Sequence, residues 1–278
     1  LIGASAFARP LWAGDDDRPV RFGLTAVVVR ENLQFFERWR RYLEKRIGRP
    51  VRFVQRRSYR EIMDLLQTGD IDFAWICGYP YVQKRDPEFL ELMAVPVFEG
   101  EPLYHSYIIV HRDSPASSFA DLKGKVFAYS DPDSNSGYLV PRFLLSNTGV
   151  SPDNFFRLTF FTYNHAETVE AIANHVADGG AVDSYVWEYL AKTRPSLAER
   201  TKIIIRSPKY GFPPLVMRSV TDHELKRRMQ SAIIGMREDV DGRALLDELA
   251  LDSFAPASSA LFDGIKGVVL KMSEGKRS

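Results

Sequence analysis

Residues 119–141 read FADLKGKVFAYSDPDSNSGYLVP. Val126 to Tyr129 is a short apolar run of strand-forming residues, and a helical pattern starts after Gly137. Between them, Asp131-Pro132-Asp133-Ser134-Asn135-Ser136-Gly137 breaks the apolar pattern with turn and capping residues. A strand that runs through a polar turn into a helix is half of a β-α-β unit. Its turn lies at the carboxyl end of the strand, the edge of an open α/β sheet that faces the ligand crevice. Ser, Asn and Ser leave backbone N–H groups and the positive end of a helix dipole pointing at whatever lies in front. Such a turn makes an anion or polyhydroxyl site without a cationic side chain. The same residues also serve as ordinary caps, and this segment alone does not separate the two readings.

The same alternation continues on both sides. Upstream, strand Val20–Leu24 is followed by a helix over Glu31–Ile47, where Leu33, Phe36, Trp39, Tyr42 and Leu43 recur at helical spacing up to Gly48. Strand Val51–Gln55, helix Tyr59–Thr68 ended by Gly69, and buried strand Ile71–Cys77 complete the unit. Leu103–His111 (LYHSYIIVH) is rich in strand formers. Downstream come strand Thr159–Phe161, helix Ala166–Ala177 and strand Ala181–Ser184. Ile203–Arg206 leads back out, and helical patterns over Asp222–Arg237 and Gly242–Leu249 follow. The expectation is an α/β chain of two lobes, each a parallel sheet covered by helices. Residues 20–108 with 206–278 form the first lobe and residues 109–205 the second. Crossings near Ile109–Arg112 and Ile203–Ser207 make a hinge.

A length of 278 residues suits two lobes. With 45% apolar and 26% charged residues the chain has material for a real core. The 37 basic residues nearly cancel the 36 acidic ones, so the basic field that nucleic-acid binding needs is missing. No apolar run approaches the roughly 18 residues of a membrane helix. Leu1–Ala13, rich in small and apolar residues and followed by Gly14-Asp15-Asp16-Asp17, reads as the remnant of a secretory signal, with residues 1–19 a flexible start. One cysteine, Cys77, excludes an intramolecular disulfide and leaves the compartment open.

Two further groups sit at expected ligand-facing edges. Cys77-Gly78-Tyr79-Pro80-Tyr81 follows a buried strand, where Tyr79 and Tyr81 can offer hydroxyls. A lone cysteine there is also what a packed core residue looks like. His165 precedes a helix and Asp183 ends the next strand, so both can face one cleft. The histidines and the cysteine show no metal-ligand spacing, and no cofactor is expected.

Taken together, GDIDFAWICGYPYV (Gly69–Val82), the opening segment, and HAETVEAIANHVADGGAVDS (His165–Ser184) resemble the PhnD-like periplasmic phosphonate, phosphite and phosphate binding proteins of ABC importers, over roughly Arg21–Phe254. That resemblance implies a type II periplasmic-binding fold, a periplasmic location and no enzymatic activity. It also implies a ligand site of a tyrosine, a Ser-Thr-Ser-Gly helix start, a histidine and an aspartate. These fall on Tyr79 or Tyr81, on Ser134, Asn135, Ser136 and Gly137, on His165 and on Asp183. Asn135 stands where the family has threonine, and Cys77 adds a thiol that a phosphorus oxyanion does not need. Relatives of the family sense arsenite through a cleft cysteine and signal to a histidine kinase controlling arsenite oxidase. Trivalent arsenic is thiophilic, so Cys77 with the hydroxyls of Ser134, Ser136 and Tyr81 suits it. The expected ligand is therefore arsenite, or alternatively a phosphonate, phosphite or phosphate, and the partner a membrane sensor kinase or ABC permease. Two other classes compete. One is a thiol hydrolase with Cys77 as nucleophile, His165 as base and Asp183 as orienter; the other is a regulator's effector domain, which needs a DNA-binding segment.

Overall fold

The computed structural model describes residues 18–25, 33–84 and 86–274. The signal remnant expected over Leu1–Ala13 and the helix start at Glu31 lie outside the described residues. The chain begins β1 (Val20–Leu24), α1 (Leu33–Ile47), β2 (Val51–Gln55), α2 (Tyr59–Thr68), β3 (Phe73–Trp75), α3 (Gly78–Gln83) and β4 (Leu90–Val97). A short β5 (Leu103–Tyr104) leads to β6 (Ser106–His111), β7 (Val126–Tyr129), α4 (Val140–Ser146), β8 (Leu158–Phe161), α5 (His165–Ala173), β9 (Gly179–Asp183), α6 (Ser184–Thr193), α7 (Pro195–Ala198) and β10 (Thr201–Arg206). The return path is β11 (Tyr210–Gly211), β12 (Leu215–Arg218), α8 (His223–Ile234), α9 (Val240–Leu249), β13 (Ser253–Ala255) and α10 (Asp263–Glu274).

Local chemistry accounts for the first unit. On α1 the residues Phe35, Trp39, Tyr42, Leu43 and Ile47 fall on one stripe and are buried. Trp39 meets Phe22 of β1, Phe53 of β2 and Trp75 of β3, so one indole knits three strands. Helix α2 opens with a reciprocal capping box between Ser58 and Glu61, a device worth about 1 kcal/mol. It stops at Gly69, whose φ of +79° is the left-handed conformation glycine adopts freely.

The sheets are mixed rather than parallel. The first has the order β13-β4-β12-β3-β1-β2, with β1 parallel to β2 and β3 but β12 antiparallel to both β3 and β4. The second has the order β10-β6-β9-β7-β8, in which β6 runs antiparallel to β9 and β10. Besides β13, which pairs antiparallel with β4 after α9, the exceptions β12 and β6 arrive from the other lobe. They enter without a crossover helix on their own sheet, the connection parallel pairing requires.

The chain changes lobes earlier than the sequence suggests. LYHSYIIVH breaks at His105: Leu103–Tyr104 pairs with Tyr210–Gly211 in a two-stranded ribbon, while Ser106 already faces Asp183 in the second sheet. Residues 106–108 pair in the second sheet, so the passage between the sheets falls at this ribbon and not at Ile109–Arg112. His105 marks the switch, its N–H donating to Ser184 Oγ and its ring nitrogen lying 2.6 Å from the Ser207 carbonyl oxygen. Strand β3 is also shorter than Ile71–Cys77, because Ile76 still bonds the Pro214 carbonyl but proline has no N–H to return, and Cys77 becomes the N-cap of α3. The carboxy-terminal α10 packs on α3 of the first lobe and on α4 of the second.

Candidate functional site

Four βα turns converge between the lobes, all at carboxyl ends of strands. Tyr59 follows β2, Cys77 follows β3, Ser134 to Gly137 follow β7 and His165 follows β8. The helix expected after Gly137 starts two residues sooner, as a π-turn over Asn135–Leu139 capped by Ser134, whose Oγ accepts the Gly137 N–H at 2.9 Å. Glycine is required at 137, since a Cβ there would lie 1.7 Å from Ser130 Oγ. Ser106 Oγ donates to the Ser136 carbonyl at 2.6 Å and pins the turn to β6.

The thiol of Cys77 is buried and sits between two helix starts. Its Sγ accepts the Asn135 N–H from the other lobe at 3.2 Å and makes no cap bond to its own helix. Burial pushes the thiol up to about 12 despite that donor, so it is protonated at neutral pH. Asn135 reaches further with its side chain: Nδ2 donates to Tyr104 Oη at 2.9 Å, while Oδ1 is buried with no hydrogen-bond partner among the described residues. Since Tyr104 already accepts a bond, its own proton is free to donate into the site. The Ser136 hydroxyl lies beside it.

His165 is buried and held neutral, its pKa pushed down to about 3 by desolvation. Its Nδ1 lies 3.1 Å from the Asp183 backbone N–H, which can only donate. The ring proton is therefore on Nε2, 3.3 Å from Tyr59 Oη. Tyr59, like Tyr104, is left with a hydroxyl proton for a ligand. The Asp183 carboxylate caps α6 by accepting the Tyr185 N–H at 2.8 Å, and burial pushes it up to about 7. Among the described residues, no lysine or arginine bonds to Cys77, Tyr59, Tyr104, Asn135, His165 or Asp183. The site is a buried nest of hydroxyls, amides, an imidazole, a thiol and the Asp183 carboxyl.

Cys77, Ser134, Asn135, Ser136, Gly137, His165 and Asp183 are thus brought together. The tyrosines differ from expectation. Tyr81 is buried edge-on against Phe262, with ring centroids 4.8 Å apart, on the side of α3 that faces the carboxy-terminal segment. Tyr79 is half-buried near Asp133 and Tyr138. The hydroxyls come from Tyr59 and Tyr104 instead. Tyr59 was legible in principle, as the first helical residue after a strand end. Tyr104 carries no local signal, because its place depends on the two-stranded ribbon. The hydrolase arrangement does not form: the Asp183 carboxylate turns to α6, and His165 uses both nitrogens on Tyr59 and the Asp183 backbone.

The two buried titratable groups oppose each other as pH changes. His165, with a depressed pKa, contributes stability above pH 6.5 that is lost as pH falls toward about 3. Asp183, with a raised pKa, contributes stability below pH 3.8 that is lost as pH rises toward about 7. Between roughly pH 4 and 6.5 the slopes cancel in the parent. Asp183→Asn is expected to become less stable than the parent as pH falls through this window, and His165→Gln as pH rises. Each slope should reach about 1.4 kcal/mol per pH unit in chemical denaturation. Parallel pH profiles for the two variants would contradict the assignment.

Comparison with known proteins agrees with this architecture. The chain is 24% identical to the phosphonates-binding periplasmic protein of Escherichia coli K12, covering 96% of this chain and 83% of that one. It superposes with a TM-score of 0.83 on the binding component of a Pseudomonas aeruginosa ABC phosphonate transporter, at 25% identity over 91% of this chain and 86% of the other. PhnD1 of Prochlorococcus marinus, solved with methylphosphonate, shares the fold with a TM-score of 0.80 at 20% identity, covering 91% and 98%. No helix among the described residues is long and apolar enough to cross a membrane. The family described as "ABC transporter, phosphonate, periplasmic substrate-binding protein" matches residues 22–262, so the chain belongs to the periplasmic phosphonate-binding family of ABC transporter substrate-binding proteins.

Proposed function

We propose that this chain works in the periplasm as a non-enzymatic receptor that closes around a small oxygen-rich solute, and that arsenite is the solute its site suits best. One observation carries the choice of ligand: the only thiol of the chain sits at the meeting point of both lobes, bonded to the helix start of the opposite lobe. At neutral pH arsenite is uncharged As(OH)3. It brings three hydroxyl groups that donate as well as accept, and Asn135 Oδ1 is an acceptor waiting for a donor. The Tyr59 and Tyr104 hydroxyls supply donors in return. Binding forms one S–As bond and breaks one As–OH bond. The thiol proton leaves with that hydroxide as water, so no base is needed and a thiol titrating near 12 is adequate.

A phosphonate or phosphite is the second reading, and the relatives support it. Two of them are named for binding phosphonates, and a third was solved with methylphosphonate. The Ser134–Gly137 turn offers such an anion backbone N–H groups and hydroxyls. In that reading the partner is an ABC permease; an arsenite receptor equally suits a membrane sensor kinase that reads closure. Thermal shift with arsenite, arsenate, phosphate, phosphite, sulfate and methylphosphonate tests the choice, because a ligand bound only by the native state raises the melting temperature. Arsenite should give the largest rise at equal concentration. A rise with phosphite or methylphosphonate and none with arsenite transfers the function to phosphorus transport.

A further inference from the structure

The lobes also meet at contacts that need no solute. Residues 57–60, at the start of α2 in the first lobe, engage two turns of the second. The Tyr59 N–H, one of the donors a helix start leaves unpaired, bonds Asp131 Oδ2 at 3.1 Å across the cleft. Asp131 Oδ1 takes the Asp133 N–H at 2.7 Å, so both carboxylate oxygens are used, and the residue is 1% exposed. The same turn brings the Asp133 carboxylate to Arg60, at 3.3 and 3.4 Å. On the other flank, the Arg57 guanidinium lies 5.0 Å over the Tyr163 ring. Tyr163 holds a left-handed φ of +62°, a strained state for a bulky side chain that persists only where its surroundings enforce it. Its N–H bonds the Ser130 carbonyl, which ties the strained residue to the strand leading into Asp131.

We propose that Asp131 is a positioning residue: an internal anion seated on the amino end of α2 which, with the Arg57–Tyr163 and Arg60–Asp133 contacts, clasps the lobes and populates the closed form before any solute arrives. The buried, doubly bonded carboxylate carries most of this clasp, since the Arg60 pair is solvent-exposed and such pairs contribute little. Solute affinity then contains a contribution that no solute contact supplies. Apparent affinity scales with the fraction of protein already closed. The clasp also places Tyr59, because the N–H that Asp131 holds belongs to the residue whose hydroxyl meets His165.

Small-angle X-ray scattering of the ligand-free protein tests the proposal independently of which solute binds. The parent is expected to show a radius of gyration near the about 19 Å of a compact chain this long, with little change on adding arsenite or methylphosphonate. Asp131→Ala should be larger when ligand-free and contract on adding whichever of the two probes binds. Its affinity for that probe should be weaker by on the order of tenfold. The surface double variant Arg57→Ala/Arg60→Ala, which removes no buried group, should shift the same way by less. It decides the matter if Asp131→Ala does not fold. A parent that is expanded when ligand-free, or variants with the parent's radius, would overturn the clasp.

Discussion

Cys77→Ser is expected to weaken arsenite binding by at least about a hundredfold in calorimetry, because it removes the one soft donor from a site otherwise built of oxygen and nitrogen. The substitution is a fair probe because serine keeps the local role of the residue. Its Oγ can accept the Asn135 N–H that Sγ now accepts, so the contact between the two helix starts is kept. The melting temperature of the ligand-free variant should therefore stay within a few degrees of the parent, separating lost binding from lost structure. Unchanged arsenite affinity in the variant would reduce Cys77 to a buried packing residue. Should the parent and Cys77→Ser bind phosphite or methylphosphonate equally, the hydroxyl and amide nest is the functional part and the thiol is incidental to it.

Gly137→Ala should have the second large effect, through shape alone. The added Cβ would meet Ser130 Oγ at 1.7 Å and Ser130 Cβ at 2.7 Å, and rotating the hydroxyl away leaves the Cβ contact in place. Ser130 is itself buried on the strand end below, so the π-turn must lift off β7. Overpacking of this kind costs about 1–3 kcal/mol, or a melting temperature lower by several degrees in a chain of this size. Displacing the Asn135 N–H and Ser136 also takes apart the ligand face, so binding of any of the candidate solutes should disappear. Ser130→Gly in the same chain removes both clashing atoms and should restore stability. A single Gly137→Ala variant with the parent's melting temperature and affinity would show that the turn is not packed as described.

Much of the fold is written in local patterns. The strands Val20–Leu24, Val51–Gln55 and Val126–Tyr129 and the helix Tyr59–Thr68 are legible to the residue, because apolar period, a capping serine and a terminating glycine act within a few positions. The Ser134–Gly137 turn, His165 and Asp183 were legible for the same reason: each stands at a strand end where an α/β sheet presents its ligand edge. Three things were not. LYHSYIIVH has one uniform pattern, and only pairing with different sheets divides it at His105. The antiparallel entry of β12 and β6 depends on the lobe each strand comes from, a property of topology without a local signature.

The choice of tyrosines shows the limit most clearly. Local pattern places a thiol, a capping turn, an imidazole and a carboxylate at or just after β-strand ends, because strand ends are set by neighbours along the chain. That Tyr59 and Tyr104 reach the site while Tyr81 packs against Phe262 follows from packing between distant segments. Those contacts join residues far apart along the chain, 31 positions between Tyr104 and Asn135, 58 between Cys77 and Asn135 and 106 between Tyr59 and His165, and the meeting of the two lobes fixes them.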